Sequence, residues 1–245
     1  MNADNATLDR FLGGRVVAAQ PAKGFRAGHD TVLLAAAVPA APGSAVLELG
    51  SGAGVASLCL AARADGVRIT GIEIDPELVA LANENAARNG MAARVRFIGS
   101  DVTQFAARKE TFDHVFFNPP FHRDSGNVSP SSARDLAKRD PADAVQTWTR
   151  AALAMTGPGG SVTAIISTDR EADLLAAAAG FGGIAFPLFP RSGEPAKRLI
   201  VRIVKDGCSG FARAAGLVLH ESDGKNTGAA EAVLRHAGAL DLGSP

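Results

Sequence analysis

The sequence predicts an α/β protein built around a doubly wound, mainly parallel sheet. From about residue 45 to residue 167, short β-branched apolar runs alternate with longer Ala- and Leu-rich segments, which is typical of repeated βαβ units. Five candidate strands each end where a Gly, Asp, Asn or Ser starts a loop: 45–49, 68–74, 94–98, 114–117 and 161–166. Because α/β sheets bind ligands at such loops, we expect the functional site there.

Capping and turn residues mark the ends of the predicted helices. Asp75 is placed to cap a helix whose first residue is Pro76, and the pair Asn89-Gly90 indicates its end. A second pair, Asp140-Pro141, predicts a helix to about residue 155, followed by a Gly-Pro-Gly-Gly turn over 157–160. Asp169 and Gly180 bracket a further helix.

The C-terminal part of the chain predicts one more strand. Residues 197–205 mix basic and mostly β-branched apolar side chains in a pattern that looks like a strand, and we expect them to complete the same sheet. No internal repeat or long linker separates domains. We therefore expect a central domain over 45–210, an N-terminal segment over 1–44, and a C-terminal extension over 211–245 that packs on the domain or is partly flexible.

Composition places the chain among ordinary folded proteins. Its 245 residues are 47% hydrophobic and 20% charged, enough apolar material for a sizeable core. No run reaches the roughly 18 apolar residues of a membrane helix, and the first residues lack the start of a secretory signal, so we expect a cytoplasmic protein. Cys59 and Cys208 show no metal-ligand spacing, which favours a reduced protein without a metal.

A glycine-rich turn directly follows the first candidate strand. Residues 48–54 read Glu48-Leu-Gly50-Ser51-Gly52-Ala-Gly54, and an apolar segment follows them. Glycine at every second position permits a tight turn and lets a ligand lie against the backbone without a Cβ in the way. Exposed amides at the start of the next helix add hydrogen-bond donors. Such turns serve nucleotide binding generally, and some merely pack, so this turn alone leaves the ligand open.

Two acidic residues follow the next two candidate strands. Glu73 lies about twenty residues after the glycine turn, where a carboxylate can accept the hydroxyl protons of a ribose. Asp101 follows the third strand, where it can accept an amino proton of an adenine or simply cap a helix. Together with the glycine turn, Glu73 predicts a cofactor that carries adenosine.

The loop Asn118-Pro119-Pro120-Phe121 follows the fourth candidate strand. Two prolines remove backbone donors and restrict the chain, so the loop presents acceptors in a rigid arrangement. The Asn118 side-chain oxygen and the Pro119 carbonyl are suited to accept both protons of a planar amino group and to direct its lone pair. Phe121 is suited to stack on the ring or amide that bears this nitrogen.

Residues 48–54, Glu73, Asp101 and 118–121 resemble the ordered motifs of the class I S-adenosylmethionine-dependent amino-methyltransferases, whose acceptor loop reads Asn/Asp-Pro-Pro followed by an aromatic residue. The resemblance covers roughly residues 45–167. It implies a Rossmann-like, seven-stranded sheet and S-adenosylmethionine as cofactor. It further implies that Glu48, Gly50, Ser51, Gly52, Gly54, Glu73, Asp101 and Asn118 contact the cofactor, and that Asn118, Pro119, Pro120 and Phe121 hold the substrate, with Asn118, Pro119 and Phe121 catalytic.

A narrower resemblance reaches nearly the whole chain. Residues 11–15, 20–21, 24–30 and 33–35 are similar to the N-terminal segment of the bacterial tRNA(Val) adenine-N6 methyltransferase group. It implies that 1–44 packs across the cofactor, with Arg26 and Asp30 near its methionine end, and that tRNA is the substrate. The chain has His29 where many relatives have Thr, and its acceptor loop ends in Phe121-His122, a form that also resembles guanine-N2 methyltransferases of ribosomal RNA.

Three acceptors therefore remain open, since an RNA adenine, an RNA guanine and a protein glutamine amide all present a planar amino group. A NAD-dependent oxidoreductase would share the glycine turn and Glu73 but not the Asn-Pro-Pro loop. The formal net charge is zero, so RNA binding would require clustered bases. We expect two clusters to form patches on either side of the acceptor loop, one from residues just after it and one near the C-terminal strand; the alternative is a solvated surface. They are Arg123, Arg134, Lys138 and Arg139, and then Arg191, Lys197, Arg198, Arg202 and Lys205.

Overall fold

The computed structural model describes residues 6–120, 141–207 and 210–243. The strands are β1 (Ala6–Phe11), β2 (Val16–Pro21), β3 (Ala45–Leu49), β4 (Arg68–Glu73), β5 (Val95–Gly99), β6 (Phe112–Phe117), β7 (Thr156–Ser167), β8 (Gly182–Arg191), β9 (Arg198–Val204), β10 (Gly210–Arg213) and β11 (Leu217–His220). The α-helices are α1 (His29–Ala37), α2 (Val55–Arg63), α3 (Pro76–Arg88), α4 (Val102–Ala106), α5 (Pro141–Met155), α6 (Glu171–Ala177) and α7 (Gly228–Leu234). Leu12–Gly14 and Thr168–Arg170 form short 3₁₀ turns.

A nine-stranded sheet in the order β10-β8-β9-β7-β6-β3-β4-β5, with β11 also on β8, confirms the predicted fold class. Strands β3 to β7 are parallel, and β9 runs antiparallel between β7 and β8. Beyond the seven expected strands, β10 and β11 pair in turn along a single edge of β8. Together they act as one interrupted edge strand.

The predicted element boundaries agree closely at most positions. Asp75 caps α3 by accepting a hydrogen bond from the Glu77 backbone N–H at 2.9 Å, and Asn89 is the C-cap. The segment 157–160, expected to be a turn, instead belongs to β7, which begins five residues earlier than predicted. A Cβ on Gly160 would lie 2.5 Å from the Asp113 carbonyl, so glycine lets β7 approach β6 beside an irregularity in their pairing.

Helices cover both faces of the sheet. Helices α1, α2, α3 and α7 pack with β2 on one face, and α4, α5 and α6 cover the other. Alternation along β3 divides its side chains, since Val46 joins the first cluster whereas Leu47 and Leu49 join the second. This is the arrangement expected for a parallel sheet buried on both sides. No helix among the described residues has the length and apolar character needed to cross a membrane.

The N-terminal residues form a separate two-stranded element. Strands β1 and β2 pair antiparallel, from Ala6 opposite Pro21 to Phe11 opposite Val16. The hairpin packs on α2 and α3 rather than joining the main sheet. The division of the chain into a central domain and two flanking segments stays a prediction, but residues 6–21 do form an element of their own.

Candidate active site

The four predicted motifs meet at the carboxyl edge of the parallel strands. In the sheet register, Leu49 lies beside both Ile72 and Phe117, so Gly50, Glu73 and Asn118 leave three neighbouring strands at the same level. Glu73 in turn lies beside Gly99, two residues before Asp101. With strands about 4.8 Å apart, the motifs span roughly 15 Å across β5, β4, β3 and β6.

The glycine turn is left-handed at Gly50, Gly52 and Gly54, with φ values of 64°, 53° and 82°. The three glycines differ in what surrounds them. A Cβ on Gly50 would lie 2.5 Å from the Trp148 ring, and one on Gly54 would lie 2.5 Å from the Phe97 ring. A Cβ on Gly52 would meet no atom of the described residues within 4 Å. Internal packing therefore requires two of the glycines, and only Gly52 faces open space where a ligand can approach.

We expect Gly50→Ala to destabilise the protein more than Gly52→Ala. Both substitutions place a Cβ at positive φ, but only the first forces it into an aromatic ring. Overpacking of this kind typically costs about 1–3 kcal/mol. The check is the free energy of unfolding of both variants in urea; equal losses would show that Trp148 yields without cost.

Glu73 holds the glycine turn and its own loop together. Its Oε2 accepts a hydrogen bond from the Gly52 backbone N–H at 2.9 Å, and its Oε1 accepts from Ile74 and Asp75 at 2.8 Å and 3.0 Å. The side chain is half-buried, whereas the neighbouring Ile74 is 54% exposed. The carboxylate of Glu73 is thus fixed at the edge of the sheet beside the exposed apolar side chain of Ile74. The sequence analysis did not single out Ile74.

Asp101 caps helix α4. One of its carboxylate oxygens accepts from the backbone N–H groups of Thr103 at 2.8 Å and Gln104 at 3.3 Å. The capping role that the sequence left open is therefore present. It does not conflict with a ligand role, because a carboxylate offers several acceptor positions.

Glu48 is buried behind the turn, with 5% of its surface exposed. Its Oε2 accepts hydrogen bonds from the backbone N–H of Ser57 at 3.1 Å and from the Ser57 hydroxyl, which ties β3 to α2. Burial raises the pKa of Glu48 to about 8, the Ser57 hydrogen bonds oppose this, and the charge of Glu73 adds to it. In the folded protein at neutral pH, Glu48 is therefore mostly protonated.

The raised pKa of Glu48 predicts a pH-dependent stability. Between pH 4.5 and about 8 the unfolded chain loses the Glu48 proton and the folded chain keeps it, so this group lowers stability as pH rises. Relative to Glu48→Gln, the wild-type free energy of unfolding will fall by up to about 1.4 kcal/mol per pH unit. The difference levels off above pH 8. Urea unfolding at several pH values measures it, and a constant difference from pH 5 to 8 would contradict this assignment.

Asn118 presents an unused acceptor at the end of β6. Its Oδ1 is buried and has no hydrogen-bond partner among the described residues, and the next residue, Pro119, is buried. The Ser51 hydroxyl of the glycine turn is also buried and without a described partner. Buried polar atoms are rarely left unpaired, so both point to groups that a bound ligand would supply. Phe121 lies outside the described residues, as does His122.

Trp148 on α5 connects the turn and the acceptor loop, and sequence reasoning missed it. The indole ring packs against Gly50 and lies edge-on to Phe117, with ring centroids 6.0 Å apart. Phe117 directly precedes Asn118. The sequence feature that could have identified Trp148 is that it is a lone tryptophan on the amphipathic helix α5. Such a pattern is ordinarily interpreted as core packing.

Arg26 and Asp30 occupy ion pairs away from each other. Arg26 pairs with Asp9 of the hairpin at 2.6 Å, and Asp30 pairs with Arg198 at the start of β9 at 2.8 Å. Asp30 and Arg198 lie at the same edge of the sheet as Asn118, because Arg198 pairs with Ser167 at the end of β7. Contacts of Arg26 and Asp30 with a cofactor stay a prediction.

The second basic cluster does not form one surface. Because β9 runs antiparallel to β7, Arg198 lies at the carboxyl edge of the parallel strands and Lys205 at the opposite edge. Arg202 is half-buried, its guanidinium donates to the Ala37 carbonyl at 2.6 Å, and burial lowers its pKa. Lys205 donates to the Leu153 carbonyl at 3.1 Å. The prediction of a single patch was wrong for these two residues, which cap backbone carbonyls.

Three members of the second cluster lie on the side of the candidate site. Arg191 pairs with Glu194 at 3.3 Å and Arg198 with Asp30, whereas Lys197 is exposed. Two of the three basic side chains at this edge are therefore paired with neighbouring acids. The first cluster, Arg123, Arg134, Lys138 and Arg139, lies outside the described residues.

Comparisons with known proteins agree with this geometry. A family model described as the methyltransferase small domain matches residues 26–141. A tRNA1(Val) (adenine(37)-N6)-methyltransferase from Actinobacillus succinogenes is 27% identical over 184 residues, 74% of this chain and 78% of the relative. One of the same name from Aeromonas hydrophila is 28% identical over 82% of this chain and 84% of the relative.

Solved structures show the same fold. A predicted O-methyltransferase from Agrobacterium tumefaciens superposes with a TM-score of 0.71 and 25% identity, over 86% of this chain and 98% of that one. A structure described as SMU.776, a putative methyltransferase complexed with S-adenosylhomocysteine, gives a TM-score of 0.58 at 16% identity, over 83% of this chain and 57% of that one. The chain is an S-adenosylmethionine-dependent methyltransferase, and its residues 26–141 match the methyltransferase small domain.

Proposed function

We propose that the protein transfers a methyl group from S-adenosylmethionine to an exocyclic amino nitrogen, N6 of an adenine in tRNA. The observation that carries the proposal is the Oδ1 of Asn118, which is buried and has no hydrogen-bond partner among the described residues, next to the buried Pro119 and level with the glycine turn. A buried and preformed acceptor is what a planar amino group requires. The names of the relatives support tRNA as the substrate.

The residues at the edge of the sheet fit the cofactor. Glu73 would accept hydrogen bonds from the ribose hydroxyls, and Asp101 would accept one from the adenine amino group. The methionine part would lie against the open side of Gly52 and near the Ser51 hydroxyl. The exposed Ile74 offers an apolar surface to the adenine ring. When bound, S-adenosylmethionine supplies an activated methyl group on a sulfonium leaving group. Glu48 acts behind the turn by holding α2 on β3.

The acceptor loop orients the nucleophile. Asn118 Oδ1 and the Pro119 carbonyl would each accept one proton of the amino group, so that the nitrogen lone pair leaves conjugation and faces the methyl group. Proline at 119 and 120 limits the motion of both acceptors. The methylated nitrogen then releases its excess proton to water, so no side chain has to act as an obligatory base. Phe121 would stack on the extruded base.

The substrate assignment rests on the relatives and on the acceptor loop. A guanine N2 in ribosomal RNA and the amide of a protein glutamine present the same planar group. The alternative function, oxidation of a substrate with NAD, would not explain the buried acceptor of Asn118. If the substrate is RNA, the candidates for phosphate contacts are Lys197 at the edge of the site and the four basic residues within 123–139.

Methyl transfer to defined RNA tests the proposal. The protein is incubated with labelled S-adenosylmethionine and, in parallel, with tRNA and ribosomal RNA from a strain that lacks it, and nucleosides are identified by mass spectrometry. We expect label in N6-methyladenosine of tRNA. Label in N2-methylguanosine of ribosomal RNA would reassign the substrate, and binding of NAD without S-adenosylmethionine binding would overturn the proposal.

A further inference from the structure

Helix α3 and its C-cap each supply an asparagine that pairs with the backbone of β2 as a neighbouring strand would. Asn85 Oδ1 accepts from the Ala19 N–H at 2.8 Å, and its Nδ2 donates to the Ala19 carbonyl at 2.9 Å. Asn89 makes the same two bonds with Val17, at 2.9 Å and 2.8 Å. Four residues of helix advance about 6 Å and two residues of strand about 6.6 Å, so the two ladders match.

Asn85, unlike Asn89, also contacts the glycine turn. Its Nδ2 also donates to the Ala53 carbonyl at 2.9 Å, and Ala53 lies between Gly52 and Gly54 of the glycine turn. Asn85 is completely buried, and with a further bond from Arg88 its amide uses all four hydrogen-bonding positions. One buried amide therefore joins the N-terminal hairpin to the turn.

The loop after the hairpin is tied into the same connection. Gln20 Oε1 accepts from the Ala27 N–H at 2.7 Å, and Gln20 Nε2 donates to Asp9 at 2.7 Å. Asp9 also pairs with Arg26 at 2.6 Å. The position of β2 therefore sets the position of residues 26–27, close to the start of α1 at the carboxyl edge of the sheet.

We propose that Asn85 is a positioning residue that couples the hairpin and the loop 22–28 to the glycine turn. The inference rests on the proposed function, in which this turn holds the cofactor. Docking of the hairpin on α3 and the correct geometry of the glycine turn then depend on each other. Asn85 acts through Ala53 and Ala19 and touches neither substrate nor cofactor. Cofactor affinity depends on it, whereas the rate of the transfer step does not.

Asn85→Asp and Asn89→Asp form a matched pair. Each is isosteric, keeps the acceptor for the β2 N–H and removes donors to backbone carbonyls, but only Asn85→Asp loses the bond to Ala53. We expect Asn85→Asp to raise KM for S-adenosylmethionine by at least about tenfold with kcat within about twofold. Asn89→Asp should leave both constants within about threefold. Equal changes in KM for the two variants would overturn the coupling.

Hydrogen exchange of the ligand-free proteins separates this inference from the proposed function. Peptides that cover 50–58 should exchange faster in Asn85→Asp than in Asn89→Asp, whether or not the protein binds S-adenosylmethionine. Equal exchange of this peptide in the two variants would overturn the coupling, and a failure of the wild type to bind cofactor would overturn only the proposed function.

A third measurement applies even where Asn85→Asp does not fold. In the wild-type protein, S-adenosylhomocysteine should slow exchange in both 50–58 and 16–21, because coupled sites protect each other. A control peptide over β10 should not change. Protection of 50–58 without any protection of 16–21 would contradict the coupling.

Discussion

Asn118→Ala will reduce turnover by about a hundredfold or more while leaving the affinity for S-adenosylmethionine largely intact. The amide is proposed to orient the target nitrogen, and loss of one preorganised transition-state contact has this effect on rate. Single-turnover kinetics on the methylated RNA, with calorimetry for the cofactor, measure the two quantities separately. A variant with near-normal turnover would contradict the assigned role.

The stability of the same variant provides the control. Since Asn118 Oδ1 has no described hydrogen-bond partner in the ligand-free protein, its removal takes away a buried unpaired acceptor and breaks no described bond. We therefore expect a melting temperature equal to or above that of the wild type. Asn118→Asp, which retains an acceptor oxygen, should keep more turnover than Asn118→Ala. A large fall in melting temperature would show that Asn118 is mainly structural.

Glu73→Ala will weaken cofactor binding by about 2–4 kcal/mol, or roughly 30- to 1000-fold. Two effects add, because the variant loses the acceptor for the ribose and also releases the N–H groups of Gly52, Ile74 and Asp75. Calorimetry with S-adenosylhomocysteine measures the loss. Unchanged affinity in a folded Glu73→Ala protein would rule out this ribose site.

Glu73→Gln separates the two effects. Glutamine has the same shape and keeps one acceptor oxygen for the loop amides, but its NH₂ group cannot accept from a ribose hydroxyl. We expect a smaller loss of stability than for Glu73→Ala together with a clear loss of affinity. If the glutamine variant binds the cofactor like the wild type, the role of Glu73 is to shape the turn rather than to contact the ribose.

The basic residues of the second cluster show why residues that are close in sequence need not form one charged surface. Residues 197–205 were correctly predicted to be a strand, yet the direction and pairing of that strand come from its long-range partners. Arg198 pairs with Asp30, 168 positions away, and Arg202 bonds to Ala37, 165 positions away. Arg198 and Arg202 therefore bind α1, and these contacts cannot be inferred from strand periodicity alone.

Sequence by itself determined the α/β class, the parallel strands, the caps of α3 and the placement of the glycine turn, Glu73, Asp101 and Asn118 at strand ends. These features depend on period, turn chemistry and capping, which act over a few residues. Only the tertiary structure decided that Trp148 and Phe97 occupy two faces of the turn, that burial keeps Glu48 protonated, and that Asn85 joins β2 to Ala53. Each depends on groups far apart in the chain, whose contact and burial arise only when the layers pack.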